Sequence, residues 1–360
     1  MQPTVYKPMA LTMGDPAGIG PEIVVKALYA WPDQSSRPCW VAGNAPVIEQ
    51  AMLAYCARTQ QTPKPLYAVS TPALANQQLA LTPDAVVVVD DGLDLSQLTC
   101  GEVSAQAGAA AAAAITCAAN ACLQGTASAM VTAPIHKLSI AAAGVTFPGH
   151  TELLQDLAAR DAGVALQDLP VRMLLANPHM QTVLLSIHVS LREALEQVTQ
   201  ANLLQTLLLT QQWVPPRGKP ARDADQGLLR IAVAGVNPHA GEGGRFGREE
   251  IDIMMPAIEQ ARAQGLNVSD PLPPDTVYMR AKAGEFDVVI AAYHDQGLIP
   301  VKYLGVADGV NATLGLPFIR TSPDHGTAFD IAGTGVADAS SLLQAMRWAE
   351  LAAVRQLRLR

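Results

Sequence analysis

The sequence predicts an α/β protein of two lobes, and three observations carry that reading. Short apolar runs, AVVVV at 85–89, LRIAVAG at 229–235 and DVVIAA at 287–292, have the length of buried strands and end in turn residues. Between such runs lie longer segments with apolar residues at helical spacing, the alternation of a parallel sheet with helices packed on it. One pair of runs, 171–176 and 181–188, is separated only by Asn177-Pro178-His179-Met180 and so reads as antiparallel; an antiparallel insertion in an alternating chain marks a second lobe. The 360 residues suffice for two sizeable cores.

In chain order, 7–13 is the first strand and GDPAGIGPE at 14–22 the turn after it. Pro21 and Glu22 suit the first turn of a helix, one by its fixed φ and the other by its charge. The turn is not a GxGxxG fingerprint; a phosphate cradle and a tight structural turn fit it equally. A strand at 39–43 and a helix at 46–59 follow, then a Pro-, Gln- and Ala-rich stretch, 62–83, that reads as surface loop. The alanine-dominated segment 103–123 reads as a buried helix, because alanine is the best helix former and permits close approach. A strand at 129–133 leads into Pro134-Ile135-His136-Lys137. In FPGHTE, 147–152, His150 and Thr151 stand at a helix start, where donors favour an anion, although Thr151 is equally suited to be an ordinary N-cap.

The segment 190–213 reads as one long helix and 215–227 as an exposed loop. The strand 230–236 ends in NPHAGEGG, a glycine-rich loop able to wrap a ligand, and EEIDIMMPAIEQARAQG is a helix stopped at Gly265. PLPPDT, 271–276, is a rigid loop presenting Asp275. The last helix starts near 340 and ends in arginines, as its dipole favours.

The chemistry concentrates at 287–320. A strand at 288–292 is followed at once by Tyr293, His294, Asp295, Gln296 and Gly297, and the carboxyl end of a strand is where open α/β sheets bind ligands. Lys302, Asn311 and Arg320 come next, each in a Gly- or Pro-bounded segment read as a loop folding back over the same crevice. Of seven histidines, His188, His239 and His294 each follow a strand-like run, so a parallel sheet would bring them to one edge. There they fit either an open divalent-metal site or a set of strand-end hydrogen-bonding groups.

Composition narrows the class. Basic residues number 24 against 32 acidic, a net charge of −8 that disfavours a nucleic-acid or anionic-membrane surface while leaving room for a local basic pocket. Five cysteines without a CxxC pair imply reduced thiols and a cytoplasmic protein. No apolar run nears the roughly 20 residues of a membrane span, and the N-terminal segment does not read as a secretion signal.

TMGDPAGIGPE, TAPIHK, FPGHTELL, SIHVSL, NPHAGEGG, PLPPDT, AYHDQGLIPVK and GVNATLGLPFIRTSPDHGTAFDIAG occur in that order between about 8 and 345. Together they resemble the 4-hydroxythreonine-4-phosphate dehydrogenase family of vitamin B6 biosynthesis. The resemblance implies an α/β/α fold similar to isocitrate and isopropylmalate dehydrogenases, with one lobe from 1–130 and 285–360 and a second, 131–284, carrying the dimer contacts. It implies an interlobe active site at a homodimer interface, NAD or NADP as hydride acceptor, and a divalent metal (zinc, cobalt or magnesium) on His188, His239 and His294. His150, Thr151, Lys302, Asn311 and Arg320 match substrate-binding positions, and Lys302, Asp275 and Asp295 are the expected catalytic groups; the residues that hold the dinucleotide are not assigned. The implied reaction oxidises 4-phosphooxy-L-threonine and decarboxylates it to 3-amino-2-oxopropyl phosphate. The alternatives are a related dehydrogenase of 4-phospho-D-threonate, D-erythronate 4-phosphate or a dihydrodiol carboxylate, and a metal- and phosphate-binding protein without turnover.

Overall fold

Buried strands of four or five residues need an apolar side chain on both faces, and runs such as MALT, CWVAG and VVVVD supply it. The computed structural model describes residues 7–31, 38–147, 149–217, 227–305 and 307–359. Its contacts divide the chain into two units, Met1–Pro170 with Leu316–Ala353, and Val171–Gly315 with Val354–Arg360.

In the first unit, β1 (Met9–Thr12), β2 (Cys39–Gly43), β3 (Leu66–Val69), β4 (Val86–Asp90), β5 (Ala129–Thr132) and β12 (Ile319–Pro323) lie in the order β3-β4-β2-β1-β5-β12. Every pairing among them is parallel, so their carboxyl ends share one edge. The helices are α1 (Gly20–Ala30), α2 (Ala45–Thr59), α3 (Pro72–Leu81), α4 (Ala105–Leu123), α5 (Lys137–Ala142) and α6 (His150–Ala162). The stretch expected as loop, 62–83, instead holds β3 and α3. Thr71 caps α3 by accepting the Leu74 N–H, and the alanine and glutamine content taken for surface is helix-forming.

Helix α4 is long and apolar enough to cross a membrane by composition, yet its buried alanines pack on β1, β2 and β5 and against α5 and α6. Helices α4 and α5 approach tightly at Gly108, where a Cβ would stand 1.9 Å from the Ser139 carbonyl oxygen.

In the second unit, β6 (Arg172–Asn177) and β7 (Met180–Leu184) form the antiparallel pair expected from the Asn177-Pro178 turn. With β8 (Arg230–Ala234), β9 (Asn267–Leu272), β10 (Val288–Ala291) and β11 (Val310–Leu314), they follow the order β11-β6-β7-β10-β8-β9. Strand β10 pairs in parallel with both β7 and β8. That pairing groups 285–315 with the second unit, and the packing of α6 on α4 groups 150–162 with the first, whereas the expected lobes meet at 130/131 and 284/285.

The expected helix 190–213 is two, α7 (Leu191–Glu196) and α8 (Gln200–Trp213), because Ser190 and Thr199 each cap a new start. The helix expected after the glycine loop begins as a π-helical turn, Glu250–Met254, before α9 (Met255–Ala263). Asp275 belongs to the first turn of α10 (Pro274–Lys282), since the prolines that suggested a loop are compatible with a helix start. Lys302 lies on α11 (His294–Tyr303), Asn311 on β11 and Arg320 on β12, so these three are on regular elements and not on loops. The chain ends in α12 (Ser340–Leu359); 218–226 of the expected exposed loop lies outside the described residues.

Gly108→Ala is expected to destabilise the protein by about 2 kcal/mol, the backbone clash outweighing the roughly 1 kcal/mol of helix propensity that alanine brings. A thermal unfolding midpoint lowered by several degrees is the expected reading; an unchanged or raised midpoint would rule out this contact.

Candidate active site

The glycine turn after β1 is committed to structure. The N–H groups of Asp15, Ala17, Gly18 and Ile19 donate to the Pro134 carbonyl, the Asp15 carboxylate, the Asp15 carbonyl and the Thr327 carbonyl. A Cβ at Gly20 would stand 2.2 Å from the Met13 carbonyl oxygen. Donors turned inward in this way serve a tight turn. Beside the turn lies a cavity of about 760 Å³, lined among others by Glu22, Lys26, Tyr55 and Arg58. Its cations are engaged: Lys26 donates to Glu22 and to the Gly335 and Ala337 carbonyls, and Arg58 to the Thr334 carbonyl.

A second cluster of polar groups lies elsewhere in the first unit. Gly149, not Thr151, is the N-cap residue of α6, and no side chain caps the helix. His150 and Thr151 are its first two residues, so their side chains and the unsatisfied N–H groups of the first turn stand together. Arg320, buried on β12, donates from Nη2 to Thr132 Oγ1 at 2.9 Å. Burial lowers the Arg320 guanidinium to about 10, against the opposing pull of Glu152, so it remains charged at neutral pH. His150 is held well below its usual 6.5, first by burial and then by the nearby Arg320 charge. Its Nε2 is buried without a hydrogen-bond partner. One fixed cation beside a neutral imidazole and an uncapped helix start has the chemistry to receive an anion such as a phosphate or carboxylate.

The second unit carries the imidazoles. His188, His239 and His294 follow β7, β8 and β10, three adjacent parallel strands. Pairing continues past the strand ends: Leu185 N–H donates to the Ala291 carbonyl and Ser186 Oγ to the Ala292 carbonyl, each at 2.9 Å. The His188 and His294 rings thereby come within 5.8 Å. Asp295 Oδ1 lies 2.8 Å from His294 Nδ1. A carboxylate there holds the proton on Nδ1 and leaves Nε2 as the lone-pair donor, the arrangement metal-binding histidines use. Gln296 accepts the Ala292 N–H and donates to the Gly235 carbonyl, tying the ends of β10 and β8. Gly297 seats α11 on the sheet, since a Cβ would lie 2.4 Å from Leu184 Cδ2 and 2.9 Å from Ala291 Cβ.

His239 is presented by a turn of unusual handedness. Residues 239–244 all have positive φ, among them His239 at 53°, Ala240 at 52° and Glu242 at 43°. Such conformations cost non-glycine residues on the order of 1–2 kcal/mol each and persist only where surroundings enforce them. Glu250 does so: its buried carboxylate accepts the N–H groups of Val236 and Asn237 at 2.7 and 2.8 Å and the Asn237 side chain at 3.0 Å. The His239 ring lies by Phe246, 6.2 Å between centroids.

The structure therefore brings together two of the three expected metal ligands. Among the described residues no three His, Cys, Asp or Glu side chains converge on one point. The pair His188 and His294, with Nδ1 of one fixed by a carboxylate, fits a divalent cation as a partial ligand set. Asp295 and Lys302 are seven residues apart on α11 and share its exposed face, whereas Asp275 stands exposed on α10, which packs against the turn carrying His239. Asn311 is half-buried on β11, opposite Leu175 of β6.

Residues 34–349 match the family described as "Pyridoxal phosphate biosynthetic protein PdxA". The chain belongs to that family. A 4-hydroxythreonine-4-phosphate dehydrogenase of Beijerinckia indica is 46% identical over 343 residues, 95% of this chain and 94% of its own length. The D-threonate 4-phosphate dehydrogenase of Salmonella typhimurium is 42% identical over 351 residues, 95% of this chain and 98% of its own. The crystal structure of a 4-hydroxythreonine-4-phosphate dehydrogenase from Klebsiella pneumoniae aligns with a TM-score of 0.78 at 40% identity, covering 97% of this chain and all of that one. Similarity of this extent to dehydrogenases makes the chain a dehydrogenase of the PdxA family.

The His150 environment fixes a pH dependence. The unfolded imidazole titrates near 6.5 and the folded one well below, so between those values the unfolded chain binds the extra proton. Stability is thus lost as pH falls below about 6.5 and is unaffected by this group at higher pH. His150→Gln is expected to shrink the drop in thermal midpoint between pH 7 and pH 5; an identical drop in the variant would contradict a buried neutral imidazole.

Proposed function

We propose that the chain oxidises 4-phosphooxy-L-threonine at its secondary hydroxyl with NAD as hydride acceptor, and that the resulting β-keto acid loses carbon dioxide to give 3-amino-2-oxopropyl phosphate. The observation that carries the reading is the buried Arg320 beside a neutral His150 and an uncapped helix start, a donor set suited to the doubly charged phosphate. A dihydrodiol carboxylate offers that cluster only a singly charged carboxylate in place of the phosphate dianion. The balance is simple: the alcohol carbon gives a hydride to NAD and its oxygen a proton to a base, and decarboxylation returns a proton to carbon.

In this reading the phosphate is held by Arg320, His150 and Thr151, with Asn311 as a further donor to the substrate. His188 and His294, with His239 as the third expected ligand, would hold a divalent cation, which when bound would supply Lewis acidity toward the secondary hydroxyl. Asp295 keeps His294 in the right tautomer and is a positioning residue, a change from its expected catalytic role. Lys302 is the base that takes the hydroxyl proton, and Asp275 is assigned to the same chemistry. NADP in place of NAD, and zinc, cobalt or magnesium as the metal, are left to the assay. The working species is a homodimer in a cytoplasmic setting; Ile299 and Tyr303, 63% and 90% exposed on the helix that carries His294, support a partner surface beside the imidazoles. A second reading, 4-phospho-D-threonate as substrate, is favoured by the Salmonella relative.

The test is reduced-nicotinamide formation with 4-phosphooxy-L-threonine, 4-phospho-D-threonate and D-erythronate 4-phosphate, using metal-stripped protein with and without each cation, on a sample whose mass is read by sedimentation. Metal-dependent turnover of the L-compound by a two-chain species is expected. Turnover of a D-acid alone would move the substrate to the second reading, and silence with all three would overturn the assignment.

A further inference from the structure

Thr132 is a hydroxyl placed in the buried strand AMVT, where it has no exposure and no access to water. An unpartnered hydroxyl there costs roughly 1–3 kcal/mol, so its partners indicate why it is present. On β12, Arg320 stands in register with Met130 of β5. Thr132, two residues further, projects from the same face of the sheet as Arg320. The hydroxyl has one proton and two lone pairs. It lies 3.4 Å from the Thr321 carbonyl oxygen, which accepts that proton, and it accepts from Arg320 Nη2 at 2.9 Å. The carbonyl orients the hydroxyl, and the hydroxyl then takes one defined donor of the guanidinium.

A guanidinium grips a phosphate well only if its plane is fixed beforehand, because two parallel N–H···O bonds need both donors aimed at once. We propose that Thr132 is a positioning residue for substrate: it sets the plane of Arg320 and so determines how tightly the phosphate is held. The inference rests on the reading of Arg320 as the phosphate ligand.

The experiment compares Thr132→Val, which keeps the shape and removes the acceptor, with Thr132→Ser, which keeps the hydroxyl, and with Arg320→Lys. Two quantities are read on the full chain: the dissociation constant for inorganic phosphate by calorimetry, and KM and kcat for whichever phosphorylated acid the protein turns over. Thr132→Val is expected to weaken phosphate and raise KM by about tenfold, as loss of a charge-assisted hydrogen bond would, with kcat within about twofold and the thermal midpoint little changed. Thr132→Ser should restore both constants to within about threefold of the original. Phosphate affinity and KM unchanged in Thr132→Val while Arg320→Lys weakens both would overturn the inference alone. Unchanged phosphate affinity in Arg320→Lys would instead overturn the reading beneath it. A fall in kcat and midpoint without a change in KM would assign Thr132 to folding and reject the proposal.

Discussion

Arg320 carries a charge into the interior of a parallel sheet, and the first unit is arranged around that burial. A buried guanidinium is tolerable only with hydrogen-bonding partners and a nearby counter-charge. Thr132 supplies the first, and Glu152, on the first turn of α6, pulls in the stabilising direction. His150 stays neutral beside Arg320, first because burial disfavours the imidazolium and then because the Arg320 charge repels it. The result is a single fixed positive charge ringed by neutral donors. A donor set fixed in this way is the kind that could bind an anion without first being ordered, which keeps binding energy for chemistry.

The second unit obeys a different constraint. Parallel strands send their carboxyl ends to one edge, so the residues just after β7, β8 and β10 are neighbours whatever their distance in sequence. The four letters HDQG then divide the work of building that edge. His294 offers the nitrogen, Asp295 sets its tautomer, Gln296 binds the ends of β10 and β8 together, and Gly297 lets α11 settle on β7. On the neighbouring strand end, Glu250 stabilises six residues of left-handed backbone that no sequence of ordinary propensity would adopt unaided. The π-helical turn that begins at Glu250 is another irregularity commonly associated with functional sites.

What could be read beforehand follows from the range of the interactions involved. The alternating runs gave the α/β class, and the position of each histidine after a strand foretold their common edge, because both depend on local periodicity. Lys302, Asn311 and Arg320 were expected on loops because glycine and proline flank them, yet two lie in strands whose partners, β5 and β6, come from far upstream. The grouping of 285–315 with the second unit rests on the same kind of interaction, the pairing of β10 with β7 and β8, which no local pattern shows. Thr132 and Glu250 were passed over since a threonine in an apolar run and an acid in EEIDIM look ordinary until their distant partners are seen. The split of 190–213 is legible in Ser190 and Thr199 as caps, although the apolar pattern runs on through both.

The central claim is that the buried guanidinium selects a phosphorylated substrate. Its most direct test is the ratio of kcat/KM for 4-phosphooxy-L-threonine to that for 4-hydroxy-L-threonine, which lacks the phosphate, in the original protein and in Arg320→Met. The account predicts a ratio of at least about 10³ that collapses at least thirtyfold in the variant, as expected when a buried charged contact to substrate is lost. A ratio that is small in the original protein, or that survives in the variant, would contradict it.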